Sequence, residues 1–480
     1  MPSATKSDSR PLSASFRDPA GQLIRHSGRL LRAVYAAGIP NLQAFQASAT
    51  VQRLSAAGRI VSSTVLEEAA GSRLAAELRL PQDATIVEHG PIEFPSFPYE
   101  WPPEMLAAAA ELTLDLAEGL LEEGLGLKDA TPFNVLFRGA QPVFVDVLSV
   151  EPRDSGDPVW RPYAQFVRTF LLPLLAYQQF RLGPDQVFTG RREGLSPEDV
   201  YRMSGRLRRL LPPILGYATI PTWLGSRSEA RGAELYEPKR MNPEKARFVV
   251  ASRLRSLRAS VRKASGVQTS SHWTDYSQTH PSYTAEQVAA KQRFVSEFLA
   301  EAHPGHVLDI GCNTGEYSVT AAHVGANVVA LDADPAVVGR LYRRASAGTL
   351  PILPLVVNIG QPSPATGWRN GECASFLDRA ARRFDAVLML AILHHLLVTD
   401  RVPLDSVVDL AADLTRDWLV IEFIAPDDPM FRHIVRGREE LHRDLDASVF
   451  AASLRRRFDV VRSAALPGSS RTMYLARRRS

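Results

Sequence analysis

From Thr284 onward, short runs of consecutive apolar residues alternate with stretches in which apolar residues recur every three or four positions. The first pattern suits a strand buried on both faces, and the second suits a helix with one buried stripe. Buried strands are expected at HVLDI (306–310), NVVAL (327–331), LPLVVN (353–358), FDAVLML (384–390) and WLVIEF (418–423). Helices are expected between them, at GEYSVTAAHVG and PAVVGRLYRRA. Thr284 and Gln287 read as a capping box that opens a helix ending before Pro304. After a helix at 447–456, FDVVRSA and RTMYLAR flank LPGSS and read as a hairpin. This alternation predicts an α/β domain with a parallel, doubly wound sheet and an antiparallel terminal hairpin, whose ligands lie at the carboxyl ends of the strands.

Before Thr284 the pattern is more mixed. RIVSSTVLE (59–67) and ATIVEHGPIEF (84–94) read as strands, and the prolines of FPSFPYEWPP (94–103) make a rigid connector. EMLAAAAELTLDLAEGLLEEG (104–124) is a strong helix stopping near Gly124, and 160–215 is largely helical. The expected organisation is a loose tail at 1–20, an N-terminal α+β domain at 21–235, a basic helical connector and lid at 236–283, and the α/β domain at 284–480. The arginine-rich stretch 243–265 reads as an amphipathic helix with Phe248, Val249, Leu254, Leu257 and Val261 inward and its arginines in water.

Composition narrows the class. With 480 residues, 45% hydrophobic and 22% charged, the chain suits a soluble protein of two or three domains. Two cysteines exclude a disulfide framework or a cysteine zinc cluster. No apolar signal region or spanning segment is visible, so a cytoplasmic location is expected. The net charge of +4 lacks any accompanying nucleic-acid motif, and a nucleic-acid partner is not expected.

The candidate chemistry lies in VLDIGCNTGEYS (307–318), on the first strand-to-helix turn. A dinucleotide site wants G-x-G-x-x-G so that a pyrophosphate can rest on the helix start. Here Gly311, Asn313 and Gly315 are followed by Glu316, which would repel it. Asp309 suits a cationic ligand, and Asp332, ending the next strand, suits a pair of ribose hydroxyls. Residues 284–480 thus resemble the class I S-adenosylmethionine (SAM)-dependent methyltransferases, through LDIGCNTG, VALDAD and FDAVLMLAILHHL. The resemblance implies a Rossmann-like fold with Asp309, Gly311, Asn313 and Gly315 along the methionine part of SAM and Asp332 on the ribose. It places Ala333 beside the adenine, Asn358 at the adenine amino group, and Leu390 and Ala391 at the mouth of the fourth strand. Asn313 stands where glycine is common, and Asn tolerates positive φ. His394 and His395 after the fourth strand, with Glu422 ending the fifth, are the candidate catalytic residues. Tyr276 and Tyr283 are candidate lid residues.

A second constellation lies in LKDATPFNVLFRGAQPVFVDVLS (127–149). Asp129, Asn134 and Asp146 surround a hairpin in an order resembling the protein kinase and aminoglycoside phosphotransferase fold. That resemblance implies Asp129 orienting a hydroxyl, with Asn134 and Asp146 holding Mg2+. The chain departs from the family: no glycine-rich loop precedes the stretch, and Lys6 is the only lysine before Lys128. The two-part order, with PYEW, LKDA and FVD ahead of a methyltransferase, is also similar to bacterial proteins of which some are nodulation-related. The expected activity is SAM-dependent methyl transfer to an unidentified acceptor, a small molecule or glycan, with the N-terminal domain serving acceptor recognition or regulation. A bifunctional kinase–methyltransferase and a non-catalytic SAM-binding scaffold are the alternatives.

Overall fold

A computed structural model describes residues 10–11, 15–228, 240–266, 283–435, 437 and 439–479. Tyr276, and with it most of the expected lid, lies outside the described residues, as does most of the first half of the expected tail. The chain forms two compact units, and neither is continuous in sequence. The first holds 1–99, 103–267 and 365–373; the second holds 100–102, 268–364 and 374–480.

In the first unit, β1 (Arg10–Pro11), β2 (Gly21–His26), β3 (Arg29–Val34), β4 (Ser63–Val65) and β5 (Thr85–His89) form an antiparallel sheet in the order β1-β2-β3-β5-β4. The helix Pro103–Glu122 follows, with leucines and alanines buried along its length. Gly124 then takes φ +71°, a left-handed stop that glycine adopts at no steric cost. Next, β6 (Leu125–Leu127) pairs with β9 (Val150–Pro152), enclosing a hairpin of β7 (Val135–Arg138) and β8 (Gln141–Phe144).

The arginine-rich helix spans Pro243–Ser265 and belongs to the first unit rather than to a free connector. Val250, Leu254, Leu257 and Val261 are buried, whereas Phe248 and Val249 are exposed, a correction to the expected inward face. The reason is periodicity. Val250 continues the Leu254–Leu257–Val261 stripe at i, i+4, i+7 and i+11, and Phe248 falls off it. The arginines do not simply face water either. Arg247 donates to Glu122 at 2.8 Å, Arg262 to Glu111 at 2.9 Å, and Arg258 reaches Glu118 and Asp115 at 2.9 Å each, besides bonding Glu111. Arg247, Arg258 and Arg262 of the basic stripe are therefore matched by an acidic stripe on the neighbouring helix.

The second unit is built on seven strands: β10 (His306–Ile310), β11 (Asn327–Asp332), β12 (Ile352–Val356), β13 (Phe384–Met389), β14 (Thr415–Ile424), β15 (Phe458–Ala465) and β16 (Arg471–Arg478). Their order is β12-β11-β10-β13-β14-β16-β15, with the first five parallel and β16 antiparallel to both neighbours. The order reverses at β10, whose neighbours β11 and β13 lead away in opposite directions, so a crevice opens at its carboxyl end. The capping box at Thr284 opens the helix Ala285–Ala302 as read from sequence.

Candidate functional site

A cavity of about 610 Å³ lies at that switch point, within the range usual for small-molecule sites. Its floor is the turn after β10. Gly311 and Gly315 take φ of +76° and +80°, and Asn313 takes +50°. A Cβ on Gly315 would stand 2.2 Å from the Leu341 side chain, so glycine at this positive φ lets the turn lie against the helix Pro335–Ala347. Gly315 therefore shapes the turn and does not line the cavity; Gly311 and Asn313 do.

Two acids flank the turn. Asp332, at the tip of β11, accepts the Asn313 N–H on one oxygen and the Asp334 N–H on the other, both at 3.0 Å. Each oxygen keeps acceptor capacity toward the cavity that Asp332 lines. Burial raises its carboxyl above the ordinary range, opposed by those two N–H groups. Asp334 instead caps the helix Pro335–Ala347 through the Ala336 N–H at 2.8 Å. Asp309 is buried in β10 and accepts the Ser318 hydroxyl at 2.5 Å. Burial pushes its carboxyl up to about 6, against the opposing effects of Ser318 and of the Lys291 ammonium. Ala333, Asn358, Leu390 and Ala391 also line the cavity, with the Asn358 amide oxygen taken by the Gly360 N–H at 2.9 Å.

His394 and His395 sit on the wall contributed by the turn after β13, with ring centroids 4.2 Å apart. Burial, reinforced by the charges of His395, Arg471 and Lys291, holds His394 well below the usual imidazole range. His395 is also lowered by burial, with Asp400 opposing. The His394 Nδ1 is buried without a hydrogen-bond partner, so no neighbour fixes the ring's tautomer from that side.

Glu422 stands differently from its expectation. It is fully buried and does not line the cavity. One oxygen accepts Lys291 Nζ at 2.7 Å and the Ala391 N–H at 2.9 Å, and the other accepts the Tyr283 hydroxyl at 2.8 Å. The correction has a physical basis: a carboxylate with both oxygens engaged and no opening to the cavity cannot meet an acceptor. It holds Ala391, a non-glycine residue at φ +56°, in the strained conformation that shapes the cavity wall. Lys291 and Arg471, which line the cavity, went unread in the sequence. Arg471 grips buried Asp428 through two bonds of 2.7 and 3.0 Å. The signal for Lys291 was a lysine three positions before buried Phe294, at helical spacing on a stripe where a leucine would be ordinary. Tyr283 lies beside both cations, 4.7 Å from Lys291 and 4.3 Å from Arg471 at its ring centroid.

The hairpin at 127–149 forms as read, but its expected ion site is not supported. Among the described residues no grouping of three or more His, Cys, Asp or Glu could hold a metal. Asp146 has its carboxyl raised by burial and is opposed by Arg32, a buried arginine on β3 that also pairs with Asp18 at 3.5 Å. Asp129 accepts the Gln165 side-chain amide at 3.3 Å, and the Asn134 amide nitrogen is buried without a partner. Arg32 is the cation whose charge opposes the rise of the Asp146 carboxyl.

A methyltransferase-domain family model matches residues 283–463. The nodulation protein NoeA of Rhizobium meliloti (strain 1021) is 31% identical over 466 residues, covering 96% of this chain and 95% of that protein. The crystal structure of the N-methyltransferase NodS from Bradyrhizobium japonicum WM9 with S-adenosyl-L-homocysteine shares 17% identity over 44% of this chain and 95% of NodS, at a TM-score of 0.32. The bifunctional kinase–methyltransferase WbdD shares 18% over 42% of this chain and 41% of WbdD, at a TM-score of 0.28. With a similarity to NoeA that runs almost end to end and a methyltransferase domain on the described cavity, the chain belongs to the NoeA family and is a class I SAM-dependent methyltransferase.

Proposed function

We propose that the cavity binds SAM with Asp332 on the ribose hydroxyls and Asp309 toward the cationic methionine end, and that His394 accepts the proton of the methyl acceptor. The carrying observation is that one cavity is lined by both Asp332, at the tip of β11, and the unprotonated imidazole of His394. Gly311 lets the backbone approach a ligand and Gly315 shapes the turn, while Glu316 disfavours a pyrophosphate there, and the absence of phosphate in SAM removes that conflict. Ala333 would flank the adenine, with Asn358 at its amino group and Leu390 and Ala391 along the wall toward the sulfonium.

SAM supplies an activated methyl group. The chain's task is to place a nucleophile in line with it, exclude water and take up a proton. A neutral imidazole suits that last role, because it is already in the basic form at neutral pH. Tyr283 and Arg471 would bound the acceptor side. The N-terminal unit keeps the order of a kinase-like fold, with Asp129, Asn134 and Asp146 around the hairpin, yet its buried cation is Arg32. It serves acceptor recognition or regulation in this reading, in a cytoplasmic enzyme acting on a small molecule or glycan.

The test measures SAM binding by calorimetry and turnover with labelled SAM. Asp332→Ala removes charge-assisted bonds to the ribose, worth about 1.5–3 kcal/mol, so affinity falls by an order of magnitude or more. His394→Gln keeps SAM affinity and lowers turnover by about 10²–10⁴-fold. Unchanged binding in the first variant removes the cofactor assignment, and unchanged turnover in the second removes the base.

A further inference from the structure

The first unit carries an exposed apolar surface that none of the chemistry above uses. It is built from the end of the helix Pro197–Met203, the turn Arg208–Leu210 and the helical segment Leu215–Ser228. Leu207 is 82% exposed, Leu210, Leu211 and Leu224 are each 58% exposed, and Trp223 is 47% exposed. These pieces are held together from below, so the surface is preformed. Thr219 bonds the Arg209 carbonyl at 2.7 Å, the Arg209 guanidinium lies 3.9 Å from the Tyr201 ring centroid, and the Trp223 indole N–H meets the Tyr201 hydroxyl at 3.4 Å.

Large side chains exposed to this degree over one segment are unusual on a monomeric protein and mark a contact surface. The charge around them selects the partner. The helix and turns that build the surface contain Arg202, Arg206, Arg208 and Arg209 against two acids, Glu198 and Asp199, and Asp199 is paired with Arg191 at 2.7 Å. Arg202 and Arg206 are exposed beside Met203 and Leu207. Leucines and a tryptophan in a setting where arginines outnumber acids match a surface that is anionic outside and apolar beneath. Nucleic acid would match the arginines but offers nothing to bury four leucine side chains. No helix among the described residues is long and apolar enough to cross a membrane, so the contact is peripheral.

We propose that this surface docks the protein on an anionic lipid bilayer, with Leu207, Leu210, Leu211, Trp223 and Leu224 entering the headgroup–acyl boundary and Arg202 and Arg206 pairing with lipid headgroups. The experiment is vesicle flotation of the full chain. Vesicles of phosphatidylcholine alone are compared with an equimolar mixture of phosphatidylcholine and phosphatidylglycerol. The protein floats with the mixed vesicles, and raised salt weakens the association, because headgroup attraction is screened within a Debye length. The combined variant Leu207→Ser, Leu211→Ser, Leu224→Ser and, separately, Arg202→Gln with Arg206→Gln each reduce the bound fraction by about tenfold or more. Both keep the wild-type circular dichroism and unfolding temperature, since the changed side chains are exposed. Absence of flotation, equal flotation with phosphatidylcholine alone, or flotation unchanged in both variants overturns the proposal. A solution dimer that the serine variant dissociates, seen by light scattering, also overturns it and gives the patch to a second copy of the chain.

Discussion

Asp309 and Asp332 lie on the same cavity, and their carboxyls serve it differently. Asp332 was legible from its place at the end of the second parallel strand, and its two backbone N–H bonds hold the carboxylate at the cavity rim. Asp309 was legible as an acid, but not as a titrating one. With its carboxyl raised to about 6, it is partly protonated near neutrality. A raised carboxyl favours folding at low pH. Folding stability therefore falls by on the order of 3 kcal/mol as pH rises from the unfolded value near 4 to about 6, and is flat above that. With the cationic end of SAM beside Asp309, as proposed, the ionised form would be favoured, and SAM binding is expected to release a proton in this window. Calorimetry should show SAM affinity constant above pH 7 and weakening by up to about tenfold per pH unit below 6. In Asp309→Asn that slope should vanish. A slope retained in the variant would place the cationic end of SAM elsewhere.

Among the elements, the helix Ala285–Ala302 is tied to the sheet by one buried ion pair, Lys291 to Glu422 at 2.7 Å, at the edge of the cavity. Both side chains are almost fully buried, so breaking the pair strands a charge in a low-dielectric place. Lys291→Met should cost about 3–5 kcal/mol in denaturant unfolding, and adding Glu422→Gln should recover much of it. A double variant no more stable than the single would show that Glu422 is held by Tyr283, Ala391 and Arg471 alone. The strands themselves could be read from sequence because each is a bounded apolar run. The ion pair could not, because its partners lie 131 positions apart and nothing in either local pattern names the other. The same distance hid the role of Glu422, which from sequence is simply an acid at a strand end.

At the scale of the whole molecule, each unit includes a short segment that is flanked in sequence by the other's residues. Glu100–Pro102 belongs with the second unit, and Ala365–Cys373 with the first. Buried Glu100 pairs with Arg379 in the second unit, while buried Glu372 meets Arg17 at 2.9 Å and Arg192 at 3.1 Å in the first. In the first unit Arg32 meets the charge of Asp146, and the consequence is testable. An ion that binds only the folded protein raises its stability by RT ln(1 + [L]/Kd). Millimolar Mg2+ should therefore leave the unfolding temperature unchanged, and labelled ATP with magnesium and candidate sugars should yield no phosphorylated acceptor. Phosphorylation that disappears in Asp129→Ala would instead make the protein a kinase as well as a methyltransferase.

What the sequence determined alone was local and periodic. The capping box at Thr284, the alternation that makes a parallel sheet, the glycine turn and the acid ending β11 are each written in a few neighbouring residues, and backbone sterics and side-chain period translate them directly. The acidic stripe Glu111, Asp115, Glu118 and Glu122 was equally legible beside the arginines of 243–265, had the two helices been compared. Tertiary structure alone decided which charges face one another. It turned Glu422 from a candidate catalytic residue into the anchor of the cavity wall, set Arg32 against Asp146, and neutralised His394 by burial. Those outcomes depend on desolvation and on partners far away in sequence, and both quantities exist only once the chain has folded.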